Sequence, residues 1–256
     1  MEYVIKSISQ KGPFHEQNED SFVAKDDYVV IADGMGGESS GEIASKLAIL
    51  AISTILNSRI KNLSSKEDIK KLCIDAIKEA DSHIAQYVIE HPDSYGMGTT
   101  VVLMVKKGDK LFVSWCGDSR CYLYAKDKLV ALTKDHSYVQ ELIDDNKISV
   151  EESFTHPDNN LITRFVGGGE DSCLPEFTSC DIVEGSTIVL CSDGLSGYCN
   201  NEDIEKIVTE SPNDDLPAQL YQLAIKRGSD DDITIVTMTP KKKSSSIWSW
   251  LHSRKP

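Results

Sequence analysis

Acidic side chains stand at the ends of apolar, β-prone runs throughout this sequence: Asp20, Asp33, Asp118, Asp193 and the run Asp230-Asp231-Asp232. Any one of them could serve as a turn residue. Together they put several carboxylates where stiff strands would hold them, which is where a metal site is best mounted. Hard oxygen donors without a Cys or His cluster favour Mg²⁺ or Mn²⁺ over zinc. Such a donor set suits a two-metal centre for phosphoryl oxygen. Ions about 3.5–4 Å apart clamp a phosphate, activate water and stabilise in-line displacement.

The stretch from Asn18 to Gly37 shows how the backbone would bring two of these acids together. It reads as two apolar strands joined by a polar turn at Lys25-Asp26-Asp27. If Ala24 pairs with Val29, Asp20 falls opposite Asp33 on one face, with Cβ atoms roughly 4.5–5.5 Å apart. Like charges so placed repel, and a bound cation reverses the sign. His15 precedes the hairpin, either as a packing residue or, near Glu19 and Asp20, as a proton donor or phosphate ligand. Gly34-Met35-Gly36-Gly37 lacks the Lys-Ser/Thr of a P-loop and the spacing of a dinucleotide fingerprint, so it reads as a turn.

The remaining elements follow from periodicity. A first strand covers Tyr3 to Ser9. Helical stripes run from Ile43 to Ile55 and from Ser65 to Glu90, the second presenting Ile69, Leu72, Cys73, Ala76, Ile77, Ala80 and Ile84 on one face. Thr99–Val105 and Leu111–Cys116 are strands about a Lys107-Gly108-Asp109 turn. A second hairpin is expected with Gly117-Asp118-Ser119 at its tip and Arg120 to Tyr124 returning. Lys134-Asp135-His136-Ser137 opens a helix, and the polar stretch 145–160 reads as a surface flap. A buried strand, Ile188–Cys191, runs into Ser192-Asp193-Gly194. Helical patterns follow around Asn201–Val208 and Leu216–Ile225, then a last strand, Ile233 to Met238. Runs of strands and helices without βαβ alternation give an α+β, mainly antiparallel architecture.

Composition sets the outer limits. The 256 residues carry 41 acids against 27 Lys and Arg, a formal charge of −14, which argues against a nucleic-acid partner. With no Pro/Gly/Ser-rich linker before the tail, one domain is expected over 1–240. Seven Cys without a C-x-x-C pair suit reduced thiols and a cytoplasmic location. No secretory leader or long uncharged apolar run is read, so no transmembrane segment is expected.

These residues resemble the metal-dependent serine/threonine protein phosphatases of type 2C, in the bacterial pattern. Matching motifs occur in order from about Tyr3 to Met238: Asn18-Glu19-Asp20, Asp33-Gly34-Met35-Gly36-Gly37, Gly98-Thr99-Thr100, Gly117-Asp118-Ser119-Arg120, Leu132-Thr133-x-Asp135-His136-Ser137, Ser192-Asp193-Gly194-Leu195 and Asp231-Asp232-Ile233-Thr234. The resemblance implies a central β-sandwich of two antiparallel sheets flanked by pairs of helices, with two Mn²⁺ or Mg²⁺ ions at one end. It implies that Asp33 bridges the ions and Gly34 offers its carbonyl, with Glu19 and Asp20 acting directly or through water. It further implies that Asp193 and Asp231 complete the second ion's shell and that Asp118 with Asp193 holds a weaker third ion. The implied activity is hydrolysis of phosphoserine and phosphothreonine by metal-activated water. The other functional class is a catalytically inactive relative that binds a phosphoprotein or regulates a partner.

Three departures from the family pattern bear on the site. His15 stands where most members carry a phosphate-gripping arginine, and an imidazole makes no bidentate guanidinium contact. Arg164 or Arg120 could substitute for it. Met35 replaces the histidine of many eukaryotic members, which leaves His15 or a metal-bound water as general acid. The closing pair reads Asp231-Asp232, so either residue could be the ligand. Implied partners are a phosphoprotein and a Ser/Thr kinase or its targets, with the chain itself a monomer. The basic, Trp-bearing tail 241–256 is either a frayed or docked terminus or a weak contact with an anionic membrane surface or a partner.

Overall fold

Strand β3 (Tyr28–Met35) explains why the strands stack in layers. Tyr28, Val30 and Ala32 pack to one side, and Val29 and Ile31 to the other, all of them buried. With two apolar faces the strand needs cover on both. The computed structural model describes residues 2–36, 40–169, 171–211 and 215–241.

One antiparallel sheet has the order β2 (Asp20–Ala24), β3, β5 (Val101–Lys107), β6 (Lys110–Cys116), β9 (Glu176–Asp181), and the short β4 (Gly98–Thr99) pairs with the end of β3. The other has the order β1 (Tyr3–Gln10), β11 (Ile233–Pro240), β10 (Thr187–Cys191), β7 (Arg120–Ala125), β8 (Lys128–Ala131). Between them lies a core that includes Val29, Ile31, Met104, Leu190, Val236 and Met238. Each such side chain contributes roughly 1.5–3 kcal/mol on burial.

Helices α1 (Gly41–Arg59) and α2 (Lys66–Glu90) cover the outer face of the β3-containing sheet. Helix α1 approaches closely because its buried stripe is mostly small, with Ala44, Ala48 and Ala51 beside Ile52 and Leu56. Ser65 caps α2 by accepting the Asp68 N–H, and the apolar face of α2 is the one the sequence predicts. One helical stretch, Gly41–Asn62, has the length and hydropathy of a membrane span, and here its Ala44, Ala48, Ala51, Ile52 and Leu56 are buried in the core shared with the sheet and α2. On the far side, after the single helical turn α5 (Asp193–Ser196), α6 (Asn201–Glu210) and α7 (Leu216–Arg227) pack against β10 and β11 through Ile204, Val208, Leu216 and Leu220. The result is the α+β sandwich of two antiparallel sheets between helix layers.

The first hairpin has the predicted register, Ala24 opposite Val29 and Asp20 opposite Asp33. The second does not form. Strand β6 pairs with β5 and β9, whereas β7 pairs with β10 and β8, so Gly117-Asp118-Ser119 carries the chain from one sheet to the other. The local turn signature is real, but two buried strand faces are satisfied better in separate layers than side by side. The polar stretch after α3 (Tyr138–Asp144) contains one further turn of helix, α4 (Val150–Ser153), closed by a Ser149/Glu152 capping box. Residue 241 remains tied to the domain, since its N–H donates to Glu2 O at 2.9 Å and its Nζ pairs with the Glu2 carboxylate. The rest of the predicted tail, 242–256, lies outside the described residues.

Candidate metal centre

The acids gather at the end of the sandwich where the sheets' loops meet. Asp20 and Asp33 come from the β2–β3 pair, Asp118 from the crossover between sheets, Asp193 from the end of β10 and Asp231 from just before β11. Burial, followed by the charges of Asp20, Asp193, Asp231 and Asp118, pushes the Asp33 carboxyl well above the ordinary carboxylate range. Burial likewise raises Asp193, with Asp135 adding to the rise and Asp33 and Arg120 opposing it. Asp20 and Asp231 are each pushed up to about 7, in both cases by burial first and then by Asp193 and Asp232 among their neighbours. Asp118 is raised well up by burial, Asp193 and Asp135, with Arg120 opposing.

The main chain around these acids is fixed by hydroxyls and amides. Asp33 O accepts the Thr100 N–H and the Thr99 hydroxyl, each at 2.8 Å, and the Asp33 N–H donates to Thr100 Oγ1 at 3.2 Å. Gly34 N–H donates to Glu19 O at 3.2 Å. A Cβ on Gly34 would lie 2.0 Å from Gly41 O, so only glycine lets the strand end meet the start of α1. Asp20 Oδ2 accepts from the Ser192 hydroxyl at 2.8 Å, while its buried Oδ1 has no hydrogen-bond partner. The Glu19 carboxyl is raised by burial, Asp232 and Glu42.

Neighbouring Asp231 and Asp232 have different surroundings. Asp232 Oδ1 accepts the Gly12 N–H at 2.7 Å and Oδ2 accepts the Glu19 N–H at 2.6 Å. Asp231 accepts the Asp232 N–H at 2.7 Å, leaving its side chain partly exposed toward Asp193. His15 lies against both, its Nδ1 3.2 Å from Asp232 Oδ1 and its Nε2 3.9 Å from Asp231 Oδ1. Burial lowers the His15 pKa, but Asp232, Asp231 and Glu19 outweigh it and hold the ring's pKa above the ordinary histidine value.

The two arginines offered as phosphate ligands lie in different clefts. Arg120 lines a cavity of about 440 Å³ together with Asp118, Asp193, Phe154 and Asn200. It is clasped by Asp135 and donates to the Tyr122 hydroxyl at 3.2 Å. Arg164 lines a smaller cleft of about 120 Å³ with His136 and Lys134, its guanidinium paired with Glu176 at 3.0 Å.

Among the described residues, no three His, Cys, Asp or Glu side chains are drawn together closely enough to hold a metal ion as they stand. What they do show fits divalent cations: hard oxygens, a buried oxygen of Asp20 without a donor, and buried carboxyls raised by one another's charge. Sequence reasoning missed the supporting polar residues. Asn18, Ser9, Thr234 and Ser192 form a chain of side-chain and main-chain hydrogen bonds that ends on Asp20. Asp81, an acid on the apolar face of α2, accepts the N–H groups of Gly167 and Gly169 at 2.7 and 3.2 Å. Its misplaced charge in a buried stripe was the available signal.

Comparison with known proteins agrees with this geometry. The family model for protein phosphatase 2C matches residues 15–231. The serine/threonine protein phosphatase PstP of Mycobacterium tuberculosis is 35% identical over 228 residues, covering 89% of this chain but only 43% of PstP. This chain therefore spans less than half of that relative. The serine/threonine phosphatase Stp of Listeria innocua is 32% identical, covering 89% of this chain and 92% of its own. The crystal structure of PstP superposes with a TM-score of 0.84 at 32% identity, covering 94% of this chain and 99% of that one. Its catalytic domain in complex with two manganese ions gives a TM-score of 0.82 at 32% identity, covering 93% and 97%. The chain belongs to the protein phosphatase 2C family.

Proposed function

We propose that the chain is a Mn²⁺- or Mg²⁺-dependent phosphatase acting on phosphoserine and phosphothreonine in proteins. One observation carries the reading: Asp20, Asp118, Asp193 and Asp231 converge electrostatically on Asp33 from separate stretches of the chain. The PstP structure with two manganese ions supports the same choice of ion. Asp33, the Gly34 carbonyl, Glu19, Asp20, Asp193 and Asp231 would hold the ions, and Asp118 with Asp193 would hold a further, weaker one. When bound, the ions supply charge neutralisation and an activated water for in-line attack on phosphorus.

The chain's own part is to orient and to donate. Because both Asp232 oxygens are occupied by main-chain N–H groups, Asp232 is assigned to fixing the loops at Gly12 and Glu19, and Asp231 to the cation. His15, kept basic by its acidic neighbours, is assigned to the phosphate or to protonating the departing serine or threonine oxygen. Arg164, paired with Glu176 in its own cleft, has less support as a phosphate ligand. Free thiols at all seven cysteines support a reducing, cytoplasmic setting. A kinase partner, a monomeric state and a separate role for the tail stay with this proposal.

Hydrolysis of p-nitrophenyl phosphate and of a phosphothreonine peptide tests the reading. Turnover is expected with Mn²⁺ and is expected to vanish with EDTA or in Asp33→Ala. Mn²⁺-independent turnover, or none in the wild type, sinks it; the latter result, with phosphopeptide binding intact, marks an inactive binding module.

A further inference from the structure

His136 is 6% exposed, and the assignments above give it no part in binding or catalysis. Its surroundings are highly ordered by hydrogen bonds. Its main-chain N–H donates to Gly117 O at 3.0 Å, and the Gly117 N–H donates back to His136 Nδ1 at 3.2 Å. The ring is stacked on Trp115, with centroids 6.0 Å apart and planes 16° from parallel. Trp115 in turn donates from Nε1 to Lys134 O at 2.8 Å, and His136 O accepts the Thr163 N–H at 2.7 Å. Nδ1 thus accepts an N–H, while Nε2 lies 3.4 Å from both Glu176 Oε1 and Arg164 Nη1.

Gly117 is the residue immediately before Asp118, and its backbone has no slack. Its φ is +115°, and a Cβ there would lie 2.6 Å from the Thr100 side chain. On the other side of Asp118, the Ser119 hydroxyl bonds Thr100 Oγ1 at 2.7 Å. Asp118 thus hangs between two clamps, of which the Gly117 clamp is made by the two-way bond to His136. Without the ring nitrogen the Gly117 N–H would be a buried donor with nothing to bond, and the peptide would turn to find a partner.

We propose that His136 is a positioning residue that fixes the direction of the Asp118 carboxylate toward the cation it shares with Asp193. The proposal rests on the reading of Asp118 as a cation ligand. It is the outer-shell role commonly filled by a group hydrogen-bonded behind a metal ligand, here exerted through the main chain.

Mn²⁺ titration of the full chain by calorimetry tests it, with Asp118→Asn as the reference for a lost weakest site. His136→Phe keeps a ring against Trp115 and removes the acceptor. It is expected to weaken the weakest Mn²⁺ site by about 10–100-fold and to leave the tighter sites unchanged. His136→Asn, whose Oδ1 can take the place of Nδ1, is expected to restore that site to near the wild-type affinity. Should the phenylalanine variant not fold, His136→Gln moves the acceptor out by one methylene and is expected to bind the weakest ion less tightly than His136→Asn. Wild-type affinity at that site in His136→Phe, or equal affinities in the Gln and Asn variants, overturns the proposal. A wild-type chain that binds no Mn²⁺ overturns the reading of the acid cluster, and the proposal with it.

Discussion

Arg120 grips Asp135 with two nitrogens at once, Nε 2.8 Å from Oδ1 and Nη2 2.6 Å from Oδ2. The pair is largely withdrawn from solvent and lies beside Asp118 and Asp193. Removing one partner strands the other charge. Asp135→Ala is expected to cost about 3–5 kcal/mol in urea unfolding, whereas the double change Arg120→Met with Asp135→Leu recovers most of it.

The two adjacent acids before β11 separate cleanly by experiment. Asp232→Asn loses charge-assisted bonds to the Gly12 and Glu19 amides and is expected to lower stability by about 1.5–3 kcal/mol. Asp231→Asn is expected to leave metal-free stability unchanged or higher and to weaken Mn²⁺ binding. Thermal melts with and without Mn²⁺ read both effects, and the reverse pattern would exchange the two roles.

Metal-free protein is expected to lose stability as pH rises. The folded carboxyls of Asp20 and Asp231 titrate at about 7, above their value in an unfolded chain. The folded state therefore holds more protons than the unfolded state between roughly pH 4 and 7, and stability falls across that window. Each such acid contributes about 1.4 kcal/mol per pH unit at most. Asp20→Asn is expected to flatten the decline in melting temperature, and saturating Mn²⁺ to reverse it. A wild-type melting temperature that climbs between pH 5 and 7 without metal contradicts the clustered arrangement.

His15 carries a proton below its raised pKa and loses it above. If the imidazolium binds phosphate, KM for a phosphopeptide is expected to rise with pH as that proton leaves. His15→Arg is expected to lower KM and to abolish this dependence, because guanidinium stays charged throughout. Steady-state kinetics from pH 6 to 9 decides; an unchanged KM profile in the variant removes His15 from the phosphate.

Much of this was legible because the strands obey a two-residue period. The register that sets Asp20 against Asp33 needed only a short turn and two apolar runs. The crossover at Gly117-Asp118-Ser119 was not legible, since a tight turn looks the same whether the next strand stays in its sheet or leaves it. Nor could sequence separate Asp231 from Asp232: identical side chains differ there only in which amides reach them across the fold. Ser192, Thr234 and His136 stand in the matching motifs, but their hydrogen-bonding roles were hidden for the same reason. Their partners are distant in the chain, and their residue types are common.

Asp20 and Asp33 ride on one sheet, while Asp193 and Asp231 leave from strands of the other. A divalent ion held among them as proposed would act as a rivet through both layers, so its removal would loosen the docking of whole sheets more than any single loop. Chelation should therefore register in hydrogen exchange deep in the inter-sheet core, at Val102, Leu190 and Val236, far from the rim where the ion is lost.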